Sequence, residues 1–385
     1  MAEGRLKIVV SDLHMGTGIY AEDGRWNYRE DFVYDRLFGQ FLRFYSTGDY
    51  AQAEVELVLN GDVFELLNPH DYAEGHPLHM TASVAVLQLE RIKKGHPIVF
   101  AELGAFASRT NKSIRFLPGN HDRALVFDEV RDHLREQIHP DLVFSDTMYE
   151  FDGVRVEHGD RYSLGTSFVP GGELKTLEDG TTIINHDWAA ILIAGFFLAG
   201  KRREYYAFYN TTPVSALLGR LWRYNPVFLL KYLLSLAVFF VQMWLQPRKH
   251  ELDNWYCSWP LFKYAFGENL PRAMAQAARY LLENEATKIV IFGHLHSYRY
   301  RVWNKKIYIN TGCWTRLVNL SLNSLGSWTK LCYALVQCGS GIPTVTLKEW
   351  KGIPVPDATL YPWDLEPLET EQGISKPVPA TERLP

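Results

Sequence analysis

Five short polar segments carry the residues best able to do chemistry: Asp12 and His14 in DLH, Asp62 in NGDVFE, Asn120 and His121 in GNHD, His158 in EHGD, and His294 and His296 in GHLH. Imidazole with carboxylate, and no thiolate set, is the donor mixture that suits zinc, iron or manganese. On an extended segment residues two apart point the same way, so Asp12 with His14, and His294 with His296, can each grip one metal or two adjacent ones. Glycines beside Asp62, Asn120, His158 and His294 permit sharp turns and close backbone approach. Taken singly, each fragment reads as a turn, a helix cap or an ordinary packed histidine. Five in this order, each at the end of an apolar run, point to one site instead.

The apolar runs are the elements that must aim these residues. RLKIVVS (5–11), VELVL (55–59), SIRFL (113–117), VRVE (154–157) and TKIVIF (287–292) are short, rich in β-branched residues and stop at the polar segments, as buried strands do. Helical patterns near 29–46, 78–108 and 269–285 separate several of them. The order of strand, loop and helix implies an α/β fold with the polar loops gathered beyond the carboxyl ends of the strands. Runs at 298–303, 306–310, 332–337 and 344–348 read as hairpins completing a second sheet. From about 350 the text turns Pro-rich, which implies a flexible tail over 351–385.

The set DLH, GD, GNHD, HGD and GHLH resembles the calcineurin-like metallophosphoesterase superfamily, over about residues 5–160 and 285–315. The resemblance implies two packed mixed β-sheets flanked by helices, a four-layer sandwich. It also implies two divalent transition metal ions, manganese first with iron or zinc as substitutes. Asp12, His14 and His296 would hold one ion and Asn120, His158 and His294 the other, with Asp62 between them. His121 would stand beside the phosphate, oriented by Asp122. Two cations about 3.5–4 Å apart share a water and lower its pKa enough to yield hydroxide near neutrality, which attacks phosphorus in line. A protonated His121 would then stabilise the leaving oxygen. Glu65 and Asp160 are candidates to fix imidazole tautomers, and Asn120, Arg123 and Arg161 are candidate phosphate contacts.

The segment between His158 and Gly293 is not needed by such a core. Residues 188–200 and 227–245 are strongly apolar, and the second approaches the ~20 residues that span a bilayer. A single crossing is excluded, because His158 precedes the run and His294 follows it, yet both must meet at one metal. Between 201 and 249, Lys201, Arg202, Arg203, Arg220, Arg223, Lys231, Arg248 and Lys249 face one acid, Glu204, with Tyr205, Tyr206, Tyr209, Trp222, Tyr224 and Trp244 interleaved. Apolar helices edged with cations and aromatics lie in lipid interfaces. The expectation is an inserted apolar helical cap over 161–284, between core segments 1–160 and 285–350, that docks on an anionic membrane surface or holds an acyl chain. A buried helical subdomain or a homo-oligomer interface is the competing reading.

A lipid-holding cap implies a lipid-linked phosphate or diphosphate substrate. Here NGDVFE, HGD and the apolar insert are similar to the UDP-2,3-diacylglucosamine pyrophosphohydrolases, which more often carry Arg where this chain has His121. The alternatives are a phosphatase of soluble nucleotides or proteins, and a non-catalytic membrane scaffold, against which His121 speaks. A net charge of −4 sets up no long-range field for nucleic acid. Four cysteines without a CxxC pair fit a reducing cytosol. The short apolar stretch between Arg5 and Asp12 falls below a secretory signal core, so the expected location is cytoplasmic, peripheral on the inner face of the cell membrane.

Overall fold

Alternation along the central strands sorts side chains into layers. In β1 (Arg5–Val10), Ile8 and Val10 pack among helices, while Val9 between them faces a second sheet. The computed structural model describes residues 4–20, 24–67, 79–163, 165–166, 172–198, 208, 211–212, 214–245, 270–320, 326–327, 330–339, 341–352 and 357–359. Next come β2 (Glu54–Asn60), β3 (Lys112–Leu117), β4 (Val143–Phe144), β5 (Tyr149–Phe151), β6 (Val154–Val156), β7 (Leu174–Thr176), β8 (Thr182–Ile184) and β9 (Thr211–Thr212). The remainder are β10 (Ile289–Phe292), β11 (Tyr298–Trp303), β12 (Lys306–Thr311), β13 (Val318–Asn319), β14 (Gly326–Ser327), β15 (Leu331–Cys338), β16 (Thr344–Trp350) and β17 (Asp357–Thr359).

One sheet runs β17-β16-β15-β1-β2-β3-β4 and the other β11-β12-β10-β6-β5. Val9, Val58, Leu117 and Val336 of the first meet Val156, Ile289, Ile291 and Ile309 of the second in a shared apolar layer. The far face of the first sheet packs on Phe38, Phe41, Leu89, Ile92, Leu103 and Phe106, from the helices Asp35–Phe44, Ala82–Gly95 and Pro97–Ala107. The far face of the second packs Val290, Phe292 and Tyr308 on Met274 and Ala278 of the helix Leu270–Leu281. The protein is therefore a four-layer α/β sandwich of two mixed sheets.

Three local readings change. The helical pattern over 78–108 breaks at His96 because Pro97 follows, and the residue before proline is pushed out of the helical region. Only β11 and β12 extend the second sheet; the hairpin of β15 and β16 joins the first, where β15 pairs antiparallel with β1. The Pro-rich tail contributes a strand, β17, on the outer edge of β16, where missing amide donors cost little; residues 353–356 and 360–385 lie outside the described residues.

Between the core segments, β7 and β8 form a hairpin, and the first apolar run becomes the helix Trp188–Leu192 continued by a wider turn over Ile193–Leu198. The helices Val214–Tyr224 and Pro226–Leu245 follow. β9 pairs with β13, and Ile184 lies in the main core, so this segment is stitched to the sandwich and not merely appended. No helix among the described residues is long and apolar enough to cross a membrane. Lys201, Arg202, Arg203, Glu204, Tyr205, Tyr206, Tyr209, Arg248, Lys249 and Cys257 lie outside the described residues; the described Cys313, Cys332 and Cys338 are free thiols.

Candidate metal centre

Parallel pairing sets the site. β1, β2 and β3 run the same way, as do β6 and β10, so their carboxyl ends deliver Asp12, Asp62, Asn120, His158 and His294 to one rim. The rim loops are joined by backbone: Asp12 N–H donates to Gly61 O (3.1 Å), His14 N–H to Asp62 O (2.9 Å) and Gly293 N–H to His158 O (2.9 Å). Asn60 ties the two sheets, its Nδ2 donating to Glu157 O at 3.0 Å.

Two groups of donors converge there. Asp12, His14, Asp62 and His296 form one, and Asp62, His158 and His294 the other, so Asp62 is common to both; a third group, His14, Glu65 and His121, adjoins the first through His14. His14 Nε2 lies 3.0 Å from His296 Nε2 and 3.7 Å from Asp62 Oδ2, and His296 Nε2 is 3.4 Å from Asp12 Oδ1. Across Asp62, His158 Nε2 sits 3.1 Å from Oδ2. Asn120 is buried with its Oδ1 unsatisfied, and His158 Nε2, though near that carboxylate, makes no well-aligned hydrogen bond. Buried polar atoms left without partners cost about 1–3 kcal/mol each, and imidazole with carboxylate is a donor set that suits divalent transition metals. The arrangement fits a pair of divalent metal ions.

Asp12, His14, Asp62, His294 and His296 all have left-handed backbones, with φ of 55°, 49°, 52°, 69° and 54°. DLH and GHLH are therefore not the extended segments expected: the backbone is left-handed at these residues, a strain of about 1–2 kcal/mol each, and only GHLH closes a turn, Leu295 N–H donating to Gly293 O at 2.9 Å. Close approach explains two glycines. A Cβ at Gly293 would stand 2.6 Å from Asp12 Oδ2, and one at Gly119 would collide with the Asp62 carboxylate.

Asp122 has a different job from the one expected. Its Oδ1 accepts from the amides of Gly119 (2.7 Å) and Asp62 (3.2 Å), and its Oδ2 from Val63 (2.7 Å) and Phe64 (3.3 Å), so it braces the Asp62 loop. Glu65 orients His121 instead, accepting at Oε2 from His121 Nδ1 (2.7 Å) and from His14 Nδ1 (3.2 Å). His121 N–H in turn donates to Asp62 Oδ1 at 2.7 Å. Arg123 is buried with its Nη2 3.0 Å from both Asp160 and Asp187, so its guanidinium is committed to carboxylates and not to phosphate. Arg161 pairs with Glu173 at 3.1 Å. The His158 tautomer is set by Asn60 O, 2.9 Å from Nδ1, and not by Asp160.

The electrostatics follow burial and these pairs. Burial opposes charge on His121, but Glu65 and Asp62 outweigh it and raise the imidazole to about 9. Burial alone would raise Glu65, yet the charge of His121 and hydrogen bonds from His121 and His14 hold it at about 2. Burial, then the His158 charge, press His294 down to about 4, which leaves a neutral ligand nitrogen. Burial opposes charge on His158 too, but Asp62 and Asp12 outweigh it and raise the imidazole, so a cation there displaces a proton.

Sequence reasoning missed three supports. Glu30 accepts from the amides of Gly16 (3.2 Å) and Gly18 (2.7 Å), holding the loop after His14, and meets buried His96 at 3.3 Å. Thr166 Oγ1 approaches His294 Nε2 at 3.4 Å. Asp187 caps the helix Trp188–Leu192 through Ala190 N–H (2.7 Å) while binding Arg123. An aspartate just before an apolar run is a legible cap, but nothing local pairs it with Arg123.

No family model matches the chain, and no curated protein does. Among solved structures it is similar to a dimetal phosphatase from Danio rerio, at 12% identity and TM-score 0.36 over 93% of this chain and 99% of that one. It is similar also to phosphopantetheinyl hydrolase from Mycobacterium tuberculosis (13%, TM-score 0.28, 81% and 91%) and to vacuolar protein sorting 29 from Cryptosporidium parvum (10%, TM-score 0.31, 93% and 97%). These likenesses are loose, so the geometry of the rim carries the functional reading.

Proposed function

We propose that the protein is a calcineurin-like metallophosphoesterase, a dinuclear metal-dependent hydrolase of phosphate esters or diphosphates. The carrying observation is Asp62, shared by two converging ligand groups, beside which Asn120 Oδ1 and His158 Nε2 are buried and unsatisfied. Asp12, His14 and His296 would hold one ion and Asn120, His158 and His294 the other, manganese being the first candidate. When bound, two such ions supply positive charge for the phosphoryl oxygens and acidify water. The chain's own residues do the rest. Glu65 fixes the ring through Nδ1 and keeps His121 charged, so that it would serve as proton donor to the leaving oxygen. Asp122 and Gly119 hold Asp62 in its strained turn.

The insert supports a finer reading, in which the substrate is lipid-linked and the enzyme works peripherally at a membrane. Trp188, Ile191 and Ala194 pack with Phe239 and Phe240, while Ala189, Ala190 and Ile193 pack with Leu67, two residues beyond Glu65. The insert's apolar cluster thus packs one side chain away from the rim. The test is manganese-supplemented hydrolysis of a diacylated sugar nucleotide beside a water-soluble phosphodiester, with Asp62→Asn as control and metal binding followed by calorimetry. Preference for the acylated compound supports the lipid reading. Equal turnover of the soluble ester keeps the metal chemistry and removes the lipid. Neither compound cleaved by the doubly loaded protein sinks the function.

A further inference from the structure

We propose that the exposed face of the helix Pro226–Leu245 docks the protein on an anionic lipid bilayer, with the helix lying in the plane of the interface. The helix is split lengthwise. At about 100° per residue, Leu229, Tyr232 and Leu236 fall on one side, where they are buried with Phe196 and Phe208. Val227, Leu230, Leu234, Val238 and Val241 fall on the opposite side and are all exposed, Val227 by 62% and Leu234 by 66%. A helix that meets only water carries polar residues on its outer face. This one carries an aliphatic stripe on a helix of 20 residues, about 30 Å long.

Charge selects the occupant. Between Val214 and Leu245 there is no acidic residue, and the three cations Arg220, Arg223 and Lys231 are all exposed. Trp222 and Tyr224, 65% and 76% exposed, stand at the junction of the two helices. Aliphatic stripe, amphipathic aromatics and cations without acids together match the acyl boundary, the interfacial belt and the head groups of an anionic bilayer. A second copy of the chain matches less well, because a two-fold contact sets the same patch against itself and brings like cations together. A crossing is excluded by the inner face, which is already packed against protein.

This face belongs to the insert and stands apart from the chemistry at the rim. Its test is flotation of the full chain with vesicles of phosphatidylcholine alone and of phosphatidylcholine with phosphatidylglycerol. Leu230→Glu with Leu234→Glu removes the stripe, and Arg220→Glu with Arg223→Glu removes the charge; all four side chains are exposed, so the fold is retained. The native chain should float with the anionic vesicles. The first pair should lower partitioning by at least about tenfold at any salt, and the second should abolish the preference for anionic lipid. Hydrolysis of a soluble phosphodiester should be unchanged in both, so its absence in the native chain bears on the metal centre alone. The inference is overturned by a native chain that ignores both vesicles, or by a stripe variant that floats as before. A native dimer that the stripe variant dissociates, without vesicle binding, would make a second copy the occupant and overturn it too.

Discussion

Replacing Glu65 by Gln changes one charge and almost no volume, at the point where His121 and His14 meet the same carboxylate oxygen. In the metal-free protein His121 titrates at about 9 against an ordinary 6.5. At about 1.4 kcal/mol per pH unit, that rise corresponds to on the order of 3 kcal/mol in favour of the charged imidazole. A histidine raised in the folded state contributes stability that is fully present below its unfolded value and is lost as pH rises through the folded value. The native chain in chelator should therefore lose stability between about pH 6.5 and 9. Glu65 itself, held at about 2, stays ionised throughout this window. Glu65→Gln should cost about 2–3 kcal/mol near pH 6, where the charged imidazole loses its counter-ion, and far less near pH 10, where the imidazole is neutral in both proteins. Urea unfolding with chelator across this range measures it. A cost independent of pH, or none at pH 6, would refute the assignment of Glu65 as the partner of His121.

Gly119→Ala sets a methyl against Asp62 Oδ1 and 2.6 Å from its amide nitrogen. It should cost about 1–3 kcal/mol in urea unfolding and lower metal content together with turnover. His121→Ala should retain both metals by elemental analysis while turnover falls by about 10²–10⁴, the range for a lost proton donor. Arg123→Met leaves Asp160 and Asp187 buried without their shared cation. It should destabilise by about 3–5 kcal/mol and open the segment around Trp188 to limited proteolysis before the core is cut.

The central strands were legible because each is an apolar run stopped by a polar turn, and Ile8, Val9 and Val10 need only alternation to be placed in layers. The gathering of Asp12, His14, Asp62, His158, His294 and His296 at one rim was legible because Asp and His after such runs have few structural uses in that order. What was not legible depends on distance in the chain. Asp122 reads as the neighbour of His121, yet the fold spends both its oxygens on the amides of residues 62–64 and 119. Arg123 reads as a phosphate ligand until Asp160 and Asp187 close on it from 37 and 64 residues away. The strained backbone at Asp12 and His296 was hidden for another reason: the pattern of strand followed by Asp or His looks the same whether the backbone stays extended or turns left-handed. β17 escaped notice because three residues between prolines carry no period, and only the partner β16 makes them a strand.

The central claim is that one rim holds two ions through a shared Asp62 and uses them to hydrolyse phosphate compounds. Titrating manganese into metal-free native chain and into the Asp62→Asn variant, with hydrolysis of a phosphodiester followed at each addition, tests it most directly. The expected result is two equivalents bound per native chain, turnover that rises with the second, and an Asp62→Asn variant that loses tight binding and turnover together. One equivalent at saturation, turnover complete after the first, or an Asp62→Asn variant that binds and cleaves like the native chain would contradict it.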